Sequence, residues 1–203
     1  MRLQVFRSAW GLRGLRATPG RALAGVRAAG FDGLEASLND LGDTADERAA
    51  ALAAARDEGL SLILSAYSSW PDYEGPADDQ LGKSSGEHLS TLTRELEQVL
   101  RDPFHLPRTL SITKPARPPQ IAALCARAGR LSPVSRVNAH SGSDAWSEDV
   151  SADFLSGALA AATSVGGDLP PVSHETHRGR ILCCPFLTAR LLRRVPQVRT
   201  VSD

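Results

Sequence analysis

Short apolar runs alternate with helical patterns along the chain, and that alternation limits the fold more than any other feature. A strand, a helix and a second strand form a βα unit, and successive units build a parallel sheet covered by helices. Leu3 to Phe6, Gly33 to Ala36, Leu60 to Ala66, Arg136 to His140, Pro171 to Glu175 and Val198 to Ser202 are the six expected strands. The third is apolar almost throughout, as a strand covered on both faces should be.

Helix signals fall between these runs. Thr18 before Pro19 reads as a cap followed by a first-turn proline, with Gly30 as the stop. Thr44 and Glu47 form a T-x-x-E capping box ahead of an alanine-rich helix that Gly59 ends, and Ser84 with Glu87 forms another. After the second box, Leu89, Leu92, Leu96, Val99 and Leu100 repeat at helical spacing. Phe154, Leu155, Ala158, Leu159 and Val165 mark the next helix, which Asp144 or Ser147 would start, and a last helix opens near Pro185.

The first turn disfavours a dinucleotide-binding sheet, because Gly11 and Gly14 in RSAWGLRG do not match G-x-G-x-x-G. A (β/α) barrel fits better, since its active site is built at the C-terminal ends of the strands. Polar and aromatic residues cluster there: Ser8 and Trp10 after the first strand, Glu35 ending the second, Tyr67 and Trp70 after the third. His140 and Asp144 follow the fourth, and Glu175 and His177 end the fifth. The expected fold is an α/β barrel of TIM type, incomplete, with about six of the eight βα units. Residues 103–134, which hold six of the 13 prolines, are expected as an irregular insertion between the third helix and the fourth strand.

Composition narrows the function classes. Lys plus Arg and Asp plus Glu both number 23, so the chain is neutral and lacks the basic excess of a nucleic-acid binder. No run reaches the ~18 apolar residues of a membrane span, and MRLQVFRSAWG does not read as a signal peptide. Cys125, Cys183 and Cys184 are odd in number and lack CxxC spacing, which fits a reducing compartment. The expected location is the cytoplasm, with no membrane or nucleic-acid partner.

Two clusters carry most of the chemistry. In VSHETHRGR, side-chain alternation puts Glu175 and His177 on one face of the strand and His174 on the other. Glu175 is then a candidate general base or metal ligand, although an ion pair with Arg178 or Arg180 explains the same residues. In RVNAHSGSDAW, Asn138, His140, Ser143 and Asp144 suit a hydroxyl-rich ligand, and equally a capped turn. Trp10 and Trp70 can cover a sugar ring or simply pack. Glu35 faces either the lumen or a neighbouring arginine.

The order GFDGLEASLND, SSWPDYEGP, VNAHSGSDAW, VSHETHRGRILCCPFLTARLL and VRTVSD resembles the xylose isomerase-like TIM-barrel family of sugar isomerases and epimerases. HETHRGR and the helix behind it are the most specific part, and only residues 103–134 look foreign. The resemblance implies a divalent metal ion (Mn, Mg, Co or Zn) held by Glu175 and Asp203, with Glu175 also catalytic. It implies proton transfer next to a carbonyl on a small sugar or polyol. Candidate substrate-binding residues are Trp10, Glu35, Trp70, His140, His177 and Arg178. A histidine and a second glutamate from later strands complete the family site, and the chain offers no match for them.

Two other readings follow from the same residues. An inactive barrel fragment accounts for the two missing strands and the proline-rich segment. An apurinic-site endonuclease-like hydrolase would share the barrel, but calls for more histidine ligands than the five here and a basic face. Exposed edges on the first and last strands predict a homo-oligomer or a marginal fold.

Overall fold

The computed structural model describes residues 3–69, 83–101, 133–166 and 169–202. The elements run β1 (Phe6–Ser8), α1 (Pro19–Ala28), β2 (Gly33–Ser37), α2 (Leu38–Leu41), α3 (Ala45–Asp57) and β3 (Ser61–Tyr67). They continue with α4 (Ser85–Arg101), β4 (Val134–His140), α5 (Glu148–Val165), β5 (Val172–Thr176), α6 (Pro185–Arg194) and β6 (Thr200–Ser202). The six strands form one sheet in sequence order, every neighbouring pair parallel, which is an incomplete TIM-type barrel. No described helix is long and apolar enough to cross a membrane.

The two faces of the sheet divide by residue type. Leu34, Ala36, Leu62, Leu64, Ala66, Val137 and Ala139 are buried in the apolar core. Leu23 and Val26 of α1, Ala51 and Leu52 of α3, Leu92 and Leu96 of α4, and Phe154 and Leu155 of α5 belong to the same core. Removing that apolar area from water is the main favourable term in folding. The alternate residues, among them Glu35, Ser65, Tyr67, Asn138, His140 and Glu175, point to the other face. Register sets them in rows: Ser65 pairs with Asn138, and Tyr67 with His140.

Local signals explain most element ends. Thr44 and Glu47 form the expected capping box of α3, each side chain meeting the other's backbone N–H. Ser84 and Glu87 do the same before α4, and Ser147 caps α5 by accepting from the Val150 N–H. Thr18 behaves differently: its hydroxyl donates to the Gly14 carbonyl, so it does not cap α1.

Three boundaries correct the sequence expectation. β1 starts at Phe6, not Leu3, because Phe6 is the residue in register with Gly33, while Leu3 and Val5 are exposed. The short helix α2 was not expected, although Ser37 and Asp40 build a complete capping box for it. The proline-rich segment lies outside the described residues from 103 to 132. Its last two positions belong with the sheet: the Leu62 N–H donates to the Pro133 carbonyl at 2.7 Å, and Val134 opens β4.

Candidate active site

The C-terminal halves of β2, β4 and β5 bring one connected polar cluster together. Asn138 is 5% exposed, and its Nδ2 donates to Glu35 Oε1 at 2.9 Å and to Glu175 Oε2 at 3.2 Å. His140 Nε2 donates to the same Glu175 oxygen at 2.7 Å. The Ser65 hydroxyl approaches Glu35 Oε1 at 3.5 Å. Tyr67 stacks on the His140 ring with centroids 4.5 Å apart, and His177 meets that ring edge-on at 5.9 Å.

Glu175 is buried, which by itself pushes its carboxyl up. The hydrogen bond and charge of His140, the charge of His177 and the Asn138 amide outweigh burial and hold it below the usual carboxylate range. Glu175 is therefore ionised at neutral pH and acts as an acceptor. The predicted alternation along β5 holds: Glu175 faces the cluster, while His174 is buried on the opposite face, its Nδ1 2.6 Å from the Ser141 hydroxyl. Burial lowers the His174 pKa to about 4, so the ring is neutral.

The loops above the cluster are tied by buried polar side chains. Arg180 is 1% exposed, and its NH1 donates to Ser69 Oγ at 3.0 Å and to the Gly142 carbonyl at 3.4 Å. The Gly142 N–H donates to Ser68 Oγ at 2.8 Å, and that hydroxyl pairs with His88 Nδ1 at 3.0 Å. The loops after β3, β4 and β5 thus share one hydrogen-bonded seam. Arg180 belongs to this seam, and no ion pair between it and Glu175 is among the contacts of the described residues.

Gly142 is required at the seam. Its φ of +60° is left-handed, and a Cβ there would meet Ile181 Cγ2 and Trp146 Cζ3, each at 2.6 Å. Gly142→Ala is expected to destabilise the fold by about 2 kcal/mol, combining left-handed strain with overpacking. Urea denaturation checks this, and an unchanged midpoint would contradict it.

The other expected site residues lie apart from the cluster. Trp10 is 91% exposed and lines a separate cleft of about 540 Å³ with Arg13, Arg16 and Asp40. Arg178 is exposed, and its contribution is a carbonyl that accepts from His177 Nδ1 at 2.6 Å. Trp70 and Asp203 lie outside the described residues. Glu35, His140, Glu175 and His177 are brought together. Asn138, noted in the sequence for hydrogen bonding to a polyol, instead joins two carboxylates.

The described residues do not by themselves fit a metal centre. No group of three or more His, Cys, Asp or Glu among them is placed to hold an ion. Oε2 of Glu175 is already engaged by His140 and Asn138. A cation would need ligands beyond the described residues.

No protein-family model and no curated protein matches the chain. Solved structures do match it in shape. An L-ribulose 3-epimerase superposes with a TM-score of 0.59 at 16% identity, over 99% of this chain and 60% of the other. A probable 3-DHS dehydratase from Bacillus anthracis gives 0.56 at 12% identity, over 99% and 62%. A fusion of a xylose isomerase-like TIM barrel with a 4-hydroxyphenylpyruvate dioxygenase gives 0.54 at 18% identity, over 100% of this chain and 26% of that one. The fold is that of these TIM barrels. The chain spans about three fifths of the length of the epimerase and the dehydratase. In this barrel, Glu35, Asn138, His140 and Glu175 occupy the strand ends where TIM-barrel enzymes carry their chemistry.

Proposed function

We propose that the chain acts as an isomerase or epimerase on a small hydroxylated carbonyl compound, a sugar or polyol derivative, by proton transfer next to the carbonyl. The observation that carries this is the ionised Glu175. One of its oxygens is fixed by His140 and Asn138, while Oε1 has no hydrogen-bond partner among the described residues. A carboxylate tethered on one side and open on the other is oriented to take a proton without having to reorganise first. A base held below the usual range is weak, so the developing oxyanion must be stabilised as well. His177 stands at the edge of the cluster for that role. The L-ribulose 3-epimerase and the probable dehydratase, both carrying this barrel, support the reading.

The divalent cation implied by the family resemblance enters the proposal through Glu175 and Asp203, together with ligands beyond the described residues. Mn²⁺ is expected to raise the melting temperature of the wild-type chain and not that of Glu175→Gln. Incubation with a panel of ketoses in D₂O, followed by ¹H NMR, tests the activity itself. Deuterium should enter at the carbon next to the carbonyl. If no ketose in the panel exchanges, the proposed function is wrong.

A further inference from the structure

We propose that Cys184 and Cys183 form a thiol–disulfide exchange site, in which Cys184 attacks a small-molecule disulfide and Cys183 resolves the adduct. The site stands apart from the function proposed above and uses no part of the Glu175 cluster. The two thiols are neighbours in the chain and both are reduced, Cys183 exposed and Cys184 partly so. Buried Ile181 and Leu182 anchor the segment before them, and Pro185 opens α6 after them. A residue ahead of proline is pushed into the extended region, and Cys184 lies there at φ −125°, ψ 127°. It thus occupies the N-cap of a ten-residue helix, whose first N–H groups have no partner within the helix.

The surroundings separate the two sulfurs. The Leu187 and Phe186 N–H groups favour the ionised form of Cys184 and outweigh burial, with a smaller effect from the Arg190 charge. Burial and the Asp144 charge push the Cys183 thiol the other way. The turn also holds a spare donor. Ser90, Thr93, Ser151, Ser156 and Thr163 each donate to the carbonyl four residues back. The Thr188 hydroxyl, one helical turn beyond Cys184, is instead buried without a partner. An accessible thiolate beside a second thiol is the arrangement that reversible thiol oxidation calls for.

The chemistry balances with a disulfide RSSR as the oxidant. The Cys184 sulfur, its proton given to water, attacks one sulfur of RSSR. The Cys184–SR bond forms, the RS–SR bond breaks, and RS⁻ leaves with the electron pair and takes up a proton. Cys183 then loses its proton and attacks the Cys184 sulfur, releasing a second RS⁻ that takes that proton. Two thiols are oxidised by two electrons, and RSSR is reduced to two RSH. A trans peptide sets neighbouring Cα atoms about 3.8 Å apart, short of the roughly 4.4–6.8 Å that a disulfide usually spans. The Cys183–Cys184 bond is therefore strained, and small thiols open it again. Its closure pulls on the turn behind it, where the Cys183 N–H donates to the Arg180 carbonyl and the Ile181 N–H to the Ser141 carbonyl, each at 3.1 Å. Arg180 is the side chain that ties Ser69 to Gly142, so oxidation loosens the seam above the strand ends.

The full chain is incubated with glutathione disulfide, quenched with acid and cut with trypsin for mass spectrometry. Cleavage after Arg180 and Arg190 gives ILCCPFLTAR, which holds both thiols and not Cys125. In wild type, a glutathione adduct of this peptide should rise and give way to a form two hydrogens lighter than the reduced peptide, which dithiothreitol restores. Cys183→Ser should accumulate the adduct instead, and Cys184→Ser should form it at least about tenfold more slowly. Both substitutions are nearly isosteric. The oxidised wild-type chain should melt at least about 3 °C below the reduced one. Adduct formation in Cys184→Ser at more than one tenth of the wild-type rate overturns Cys184 as the attacking sulfur. A lasting adduct in wild type overturns Cys183 as the resolving one, and an unchanged melting temperature overturns the coupling to the seam.

Discussion

Glu175→Gln is expected to slow deuterium entry into a ketose by roughly 10²–10⁴-fold, the usual contribution of a positioned general base. The substitution is nearly isosteric. A glutamine carbonyl placed where Oε2 now sits still accepts from His140 and Asn138, and its amide NH₂ replaces the open Oε1. What disappears is the charge and the proton-accepting oxygen. Stability should therefore change by no more than about 1 kcal/mol, the scale of one hydrogen bond made neutral. NMR exchange and a melting curve on the same sample separate the two effects. Exchange at the wild-type rate in a folded Glu175→Gln chain would remove Glu175 as the base.

The second large effect is on acid stability. His174 has a pKa of about 4 in the folded chain, against 6.5 for a free ring, because burial disfavours its charged form. Between those values the unfolded chain binds a proton that the folded chain does not, so stability falls as the pH falls. The contribution is complete above pH 6.5, is lost progressively down to about pH 4, and is flat below. The shift corresponds to about 3 kcal/mol. Glu175 acts in a lower window: its pKa is depressed, so its contribution fades only as pH drops through the carboxylate range. Urea denaturation at steps from pH 7.5 to 4 should show a steep loss in wild type and a shallower one in His174→Gln, whose side chain does not titrate. Equal slopes would rule out His174 as the source.

The strand-and-helix alternation was legible because it depends on neighbours in sequence. Strands two to five were placed within two residues at each end, and the boxes at Thr44 and Ser84 were read directly from residues three apart. β1 was misplaced because hydrophobicity pointed to Leu3 and Val5, whereas pairing with Gly33 selects Phe6–Ser8. The face shared by Glu175 and His177 was also legible, since it follows from alternation along one strand. Asn138 between two carboxylates was not, because Glu35 and Glu175 reach it from different strands. One reading of the sequence paired Glu175 with Arg178 or Arg180 in a surface turn. Burial of Arg180 against Ser69 and Gly142 depends on how three loops meet, which no local pattern encodes.

Among the described residues, every strand of this sheet pairs only with the strands immediately before and after it. Such an array is nearly one-dimensional, so its stability approximates a sum over units and their junctions, as in repeat proteins. Opening of this sheet should start at its outer strands, β1 and β6, each paired on one side among the described residues. Amide protection in hydrogen exchange should therefore rise toward β3 and β4 and fall off in both directions. β2, β4 and β5, which carry Glu35, Asn138 and Glu175, each have a neighbour on both sides. The carboxylate pair can thus outlast fraying of the outermost strands.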